Sequence, residues 1–269
     1  MRLDNTMIPH GTVFALKDSY HTQKDLPTSF LPTTLSFYVG VSAVVFRSSH
    51  KAKRGRYGDT EWVNASIDIM NAIEHSGCEF HIEGMQHIRA LEGPAVFIAN
   101  HMSTLETLVL PSLINSVRRC TFVIKPSLMD YPVFGHVMRS RDPIVVTRDN
   151  PRQDLQTVLE EGTRRLDLGT SIVLFPQTTR SSTFDPAKFN SLGVKLAKKA
   201  GVPIVPVALK TDAWKNGSIL KEFGGIESDR PIHFEFAPAM IVEGNGREQH
   251  DATAAFITER LDKWRIADG

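Results

Sequence analysis

The chain has 269 residues, 41% of them hydrophobic and 23% charged, with 31 Lys and Arg against 30 Asp and Glu, a formal net charge of +1. That length buries a substantial core in one large α/β domain or two small ones, and the balanced charge excludes a broad nucleic-acid footprint. Two cysteines, Cys78 and Cys120, without a Cys-x-x-Cys pair, argue against a disulfide framework or zinc ribbon and suit a reducing compartment.

Residues 1 to about 26 are polar, lack the basic-then-apolar start of a secretory signal, and carry no structural expectation. Phe30 to Phe46 is an apolar run shorter than the ~20 residues of a spanning helix, and Pro32, Thr33, Thr34 and Ser36 weaken it. Arg47, His50, Lys51, Lys53, Arg54 and Arg56 follow. Two readings stand level, with a true spanning helix behind both. The run is either a membrane-associating interfacial helix whose basic neighbours meet anionic head groups, or a helix docked on the protein's own core beside a solvated loop.

Thr60 to Gly77 reads as an amphipathic helix, with Trp62, Ala65, Ile69, Met70 and Ile73 at helical spacing, Asp59 or Thr60 as cap and Gly77 as stop. Phe80 and Ile82 alternate with polar residues as a strand ended by Gly84. Val96 to Ala99 is a buried strand that stops at Asn100-His101, and a helix from Ser103 or Thr104 runs to about Ile114. Strands are expected at Thr121 to Ile124 and Ile144 to Thr147, the latter ending at Arg148, with a loop and a short apolar helix between them. Asn150-Pro151 starts a helix carrying Leu155, Val158, Leu159 and Leu166, closed by Gly169. Ser171 to Phe175 is a strand running into Pro176 to Ser181, Ser191 to Ala200 a helix, and Pro203 to Leu209 another strand. Ile232, Phe234 and Phe236 suggest an antiparallel edge strand, and Ala252, Phe256, Ile257, Leu261 and Trp264 a last helix. Continuously apolar strands alternating with helices predict a single α/β domain with a mixed, mostly parallel sheet flanked by helices.

The chemistry concentrates at strand ends. His101 sits in a strand-to-helix turn, and Glu106 follows one helical turn later. Imidazole takes a proton while carboxylate fixes its tautomer and stabilises the imidazolium. Backbone N–H groups at the start of the following helix are candidate oxyanion donors. Arg148 and Arg180 end successive strand blocks on one side of the sheet, and guanidinium pairs bidentately with phosphate. Ser103 is better explained as a helix cap than as a nucleophile, and Cys78 and Cys120 as buried small hydrophobes. His81, His87 and His136 show no metal-ligand spacing, so no metal is expected.

Four blocks stand in one order: Asn100-His101-x4-Glu106, Ile144 to Arg148, Phe175-Pro176-Gln177-Thr178-Thr179-Arg180-Ser181, and Val202 to Val207. The set resembles the glycerolipid and lysophospholipid acyltransferases over roughly residues 80 to 215. The resemblance implies transfer of a fatty acyl group from acyl-CoA or acyl-carrier protein, as co-substrate, to a lysophospholipid hydroxyl. The favoured acceptor is 1-acylglycerol-3-phosphate, and no separate cofactor is implied. It makes His101 and Glu106 catalytic, and Lys125, Arg148, Gln177, Thr179, Arg180 and Ser181 substrate-binding. Residues 1–58 become a tail with the candidate membrane-associating helix, and residues 59–269 the acyltransferase domain. The partners are then the two substrates and a membrane surface, on its cytoplasmic face.

The sequence departs from the family pattern where Glu106 replaces aspartate and where Gln177 and Thr178 replace Glu-Gly. The second departure opens the acceptor's identity. Another lysolipid, a lipid hydrolase or an inactive lipid-binding homologue remain as alternatives, although no Gly-x-Ser-x-Gly elbow supports the hydrolase.

Overall fold

A computed structural model describes residues 17–23, 28–147, 149–177, 179–217 and 224–268. In chain order it contains β1 (Tyr20–His21), α1 (Thr33–Lys53), α2 (Asp59–His75), β2 (Phe80–Glu83), α3 (Met85–Arg89), β3 (Val96–Ala99) and α4 (Leu105–Leu110). There follow β4 (Cys120–Ile124), α5 (Phe134–Arg139), β5 (Ile144–Val145), α6 (Pro151–Asp167), β6 (Ser171–Leu174), α7 (Leu192–Ala200), β7 (Ile204–Lys210), β8 (Ile232–Phe236) and α8 (Arg247–Ala267).

The strands form one mixed sheet in the order β1-β2-β8-β7-β3-β6-β4-β5. From β7 to β5 every pairing is parallel. β3 lies at the centre, and its four residues are all buried because helices cover both faces. Phe97 and Ala99 join a core with Phe37, Met70, Ile73, Phe80 and Leu110, under α1, α2 and α4. Val96 and Ile98 join the opposite core with Val158, Leu174, Leu196, Ile257 and Trp264, under α6, α7 and α8. β3 leaves toward β4 on one side, whereas its neighbour β6 leads across it to β7 on the other. A crevice therefore opens at the carboxyl ends of these strands, the usual ligand position in such sheets.

Several expectations change in detail. β8 pairs antiparallel with β7 but parallel with β2, so it lies inside the sheet instead of at an edge. The helix expected up to Ile114 narrows to α4, because Pro111 has no N–H to continue the ladder and the chain widens into a π-helical turn over Pro111–Asn115. The strand at 144–147 pairs only over Ile144–Val145. α3 and β1 carry too few residues to show a period. Asn150 caps α6 as expected, its side chain accepting from Gln153 N–H at 3.2 Å.

α1 combines features of both readings of its sequence. Phe37, Val41 and Val44 are buried, and Gly40 brings the helix so close to α2 that a Cβ there would lie 2.7 Å from Ala72 Cβ. Leu35, Val39 and Phe46, together with Leu31 before the helix, are exposed on another face. No helix among the described residues is long and apolar enough to cross a membrane.

Candidate active site

His101 and Glu106 meet as their spacing demands. β3 ends at Ala99, the turn carries His101, and Glu106 in the first turn of α4 folds back so that its Oε1 lies 2.8 Å from His101 Nδ1. The same oxygen accepts from Met102 N–H at 2.7 Å and Ser103 N–H at 3.0 Å. Oε2 accepts from Ser103 N–H at 3.1 Å and from Thr211 Oγ1 at 2.7 Å, and lies 2.9 Å from Ser103 Oγ. Burial pushes the Glu106 carboxyl pKa up, but the bond from His101, the imidazolium charge and the Thr211 bond outweigh it and hold the group below its ordinary value. A fully buried carboxylate with this many donors stays ionised.

These bonds also engage three of the backbone donors around the start of α4. Met102 and Ser103 N–H serve Glu106, and Leu105 N–H donates to Ser103 Oγ at 3.1 Å. Ser103 therefore acts as a cap and a carboxylate ligand.

The imidazole is fixed from other sides as well. Phe175 stacks on it with ring centroids 4.3 Å apart and planes inclined by 17°. Gln177 Oε1 accepts from His101 N–H at 2.6 Å, and His101 C=O accepts from Ser181 N–H at 2.9 Å. Asn100 clamps β3 to β7, donating to Leu209 C=O at 2.7 Å and accepting from Leu209 N–H at 2.8 Å. With Nδ1 committed to Glu106, Nε2 is the nitrogen left to take a proton.

His101 lines a cavity of about 1110 Å³. One arm runs under α1 and α5, between Val41, Val45, Leu108, Phe134 and Met138. The other, toward α6 and α7, includes Leu155, Asn190 and Lys195. Lys125, Gln177, Thr179 and Arg180 line the same cavity, and Arg180 also donates to Thr104 Oγ1. Ser181 contributes its backbone to His101, while its Oγ lies 3.2 Å from Thr183 Oγ1. Arg148 and Thr178 lie outside the described residues.

Sequence reasoning missed Thr211, Phe175 as a ring partner, and Lys195. Thr211 follows a strand more than a hundred residues downstream, and only the β3–β7 pairing brings it to Glu106. Lys195, Lys198 and Lys199 share the exposed face of α7, whose opposite face buries Val194, Leu196 and Ala197; spacing alone marks only an amphipathic helix. Cys78 and Cys120 are buried free thiols, and burial pushes the Cys78 pKa up to about 11. Among the described residues no three His, Cys, Asp or Glu side chains form a group able to hold a metal.

Residues 79–210 match the family described as Acyltransferase. A 1-acyl-sn-glycerol-3-phosphate acyltransferase of Pseudomonas aeruginosa is 27% identical over 237 residues, 88% of this chain and 84% of that protein. The chloroplastic 1-acyl-sn-glycerol-3-phosphate acyltransferase LPAT1 of Arabidopsis thaliana is 30% identical over 131 residues, 49% of this chain and 36% of the plant protein. Among solved structures, the 1-acyl-sn-glycerophosphate acyltransferase PlsC of Thermotoga maritima superposes with a TM-score of 0.62 at 18% identity, covering 87% of this chain and 95% of that one.

Proposed function

We propose that this chain, which belongs to the acyltransferase family through residues 79–210, transfers a fatty acyl group from a thioester donor to the free hydroxyl of 1-acylglycerol-3-phosphate. The observation that carries the reading is a buried, ionised Glu106 holding His101 Nδ1 at 2.8 Å, at a cavity with an apolar arm and several cations.

In this reading His101 Nε2 takes the acceptor's hydroxyl proton as the oxygen attacks the thioester carbonyl. Glu106 offsets the charge that forms on the imidazolium. The tetrahedral intermediate collapses by breaking the carbon–sulfur bond, and the departing thiolate regains the proton from Nε2. The products are phosphatidate and the free thiol of coenzyme A or acyl-carrier protein. Lys125 and Arg180 hold the acceptor phosphate, with Arg148 as a further ligand, and Thr179 and Gln177 complete that wall. The arm under α1 and α5 takes the acyl chain.

Residues 59–269 carry the chemistry. α1, in the first 58 residues, attaches the protein peripherally to a cytoplasmic membrane face through Leu31, Leu35, Val39 and Phe46, with Lys51, Lys53 and Arg54 facing anionic head groups.

The test is a radiolabelled acyl-CoA assay on purified protein with lysophosphatidate and a panel of other lysolipids. Phosphatidate should form with wild type and not with His101→Ala. Equal trace product from both proteins across the panel overturns the reading. Product with another lysolipid alone would leave the chemistry standing and replace the acceptor.

A further inference from the structure

We infer that Thr211 is a positioning residue for this acyl transfer: its hydroxyl, donated to the far oxygen of Glu106, sets how that carboxylate holds His101. The inference rests on His101 being the base.

The geometry is specific. β3 and β7 run parallel with Ala99 beside Val207, and Asn100 locks their ends together through both backbone groups of Leu209. Two residues beyond that clamp, Thr211 is fully buried and sends its hydroxyl proton to Glu106 Oε2 at 2.7 Å. Ser103 Oγ lies 3.0 Å from Thr211 Oγ1 and 2.9 Å from Glu106 Oε2, so its single proton completes the ring from either side. A buried carboxylate pinned at one oxygen can still rotate about its last bond. Ser103 N–H and Oγ also reach Oε2, at 3.1 and 2.9 Å, but both belong to the same turn as His101; Thr211, at the end of β7, is the donor from a second element that holds Oε2, and with it Oε1, in one plane. Glutamate has one more rotatable bond than aspartate, so this chain needs that second constraint more.

The hydroxyl also tunes the pair. By drawing negative charge toward Oε2, it moderates how strongly Oε1 favours the imidazolium. Among the described residues, the ionisable side chain in contact with Glu106 is His101. Charged groups on the neighbouring elements are engaged elsewhere: Asp212 with Arg230 at 2.8 Å, Lys210 with Asp268 at 2.8 Å, and, on α2, Asp59 with Arg141 at 2.9 Å and Glu74 with Tyr20 at 2.6 Å. Asp68, also on α2, is paired with Arg47.

The experiment measures kcat and the pH profile of kcat/KM for the full chain with lysophosphatidate and acyl-CoA, in wild type, Thr211→Val, Thr211→Ser, Ser103→Ala and His101→Ala. Thr211→Val keeps the shape and loses the proton. It should lower kcat about tenfold or more. It should also move the acidic limb to higher pH, because the carboxylate that has lost the Thr211 donor concentrates more charge on the Oε1 that faces the imidazole. Thr211→Ser should restore both, and Ser103→Ala should move the limb the same way by less. A wild-type limb in Thr211→Val, or a kcat loss that Thr211→Ser shares in full, overturns the inference. If Thr211→Val does not fold, an unmoved limb in Ser103→Ala overturns it. Wild-type activity in His101→Ala would instead sink the reading of the base itself.

Discussion

Gln177 shows how a substitution that looks disabling is absorbed by local geometry. Its side-chain carbonyl receives His101 N–H at 2.6 Å, a task that needs an acceptor and no charge. Gln177→Glu keeps the acceptor and should retain kcat within a few fold. Gln177→Met leaves a part-buried N–H without this acceptor and should destabilise the turn by about 1 kcal/mol, with a matching fall in thermal midpoint. Glu106 is the opposite case, since the role proposed for it depends on its charge. Glu106→Gln should cut kcat at least about a hundredfold. Because the folded carboxyl titrates below its ordinary range, its stabilisation is complete above the ordinary value and vanishes as pH falls through the lowered one. Thermal midpoints of wild type and Glu106→Gln should therefore differ at neutral pH and converge in acid.

Among the elements, α1 carries apolar residues on two faces. Its inner face is core: Phe37 is fully buried against the ring of Trp214, with centroids 4.7 Å apart, and Trp214 lines the cavity. Deleting the helix would therefore expose apolar core, so a membrane role is better tested on its outer face. Leu35→Glu and Val39→Glu, neither of which lines the cavity, should together abolish co-sedimentation with anionic vesicles. Exposed substitutions of this kind change stability by only about 0.5 kcal/mol each. Vesicle binding at the wild-type level would remove α1 as the contact. On the inner face, Gly40→Val has no room against Ala72 and should cost about 1–3 kcal/mol by overpacking.

The whole molecule decides what the active site can hold. The cavity is walled by helices from both faces of the sheet and floored by strand ends, so no single segment encodes its depth. Leu108 and Met138 line both the arm under α1 and α5 and a separate, small cavity against α2. Leu108→Trp should shorten that arm and shift preference toward shorter acyl donors, read as relative kcat/KM across a chain-length series. An unchanged profile would place the acyl chain in the other arm.

Local pattern alone determined the alternation of buried strands and amphipathic helices, the cap at Asn150, and the pairing of His101 with Glu106. Each of these depends on residues within one or two turns of each other, where spacing fixes geometry. The tertiary structure decided what depends on distant segments meeting. It placed β8 inside the sheet, brought Thr211 to Glu106 and Gln177 to His101 N–H, and folded α1 against α2 with a second apolar face left outward. The reason is physical: a turn of helix reads its own neighbours, whereas strand order and crossover packing bring together residues that share no sequence period.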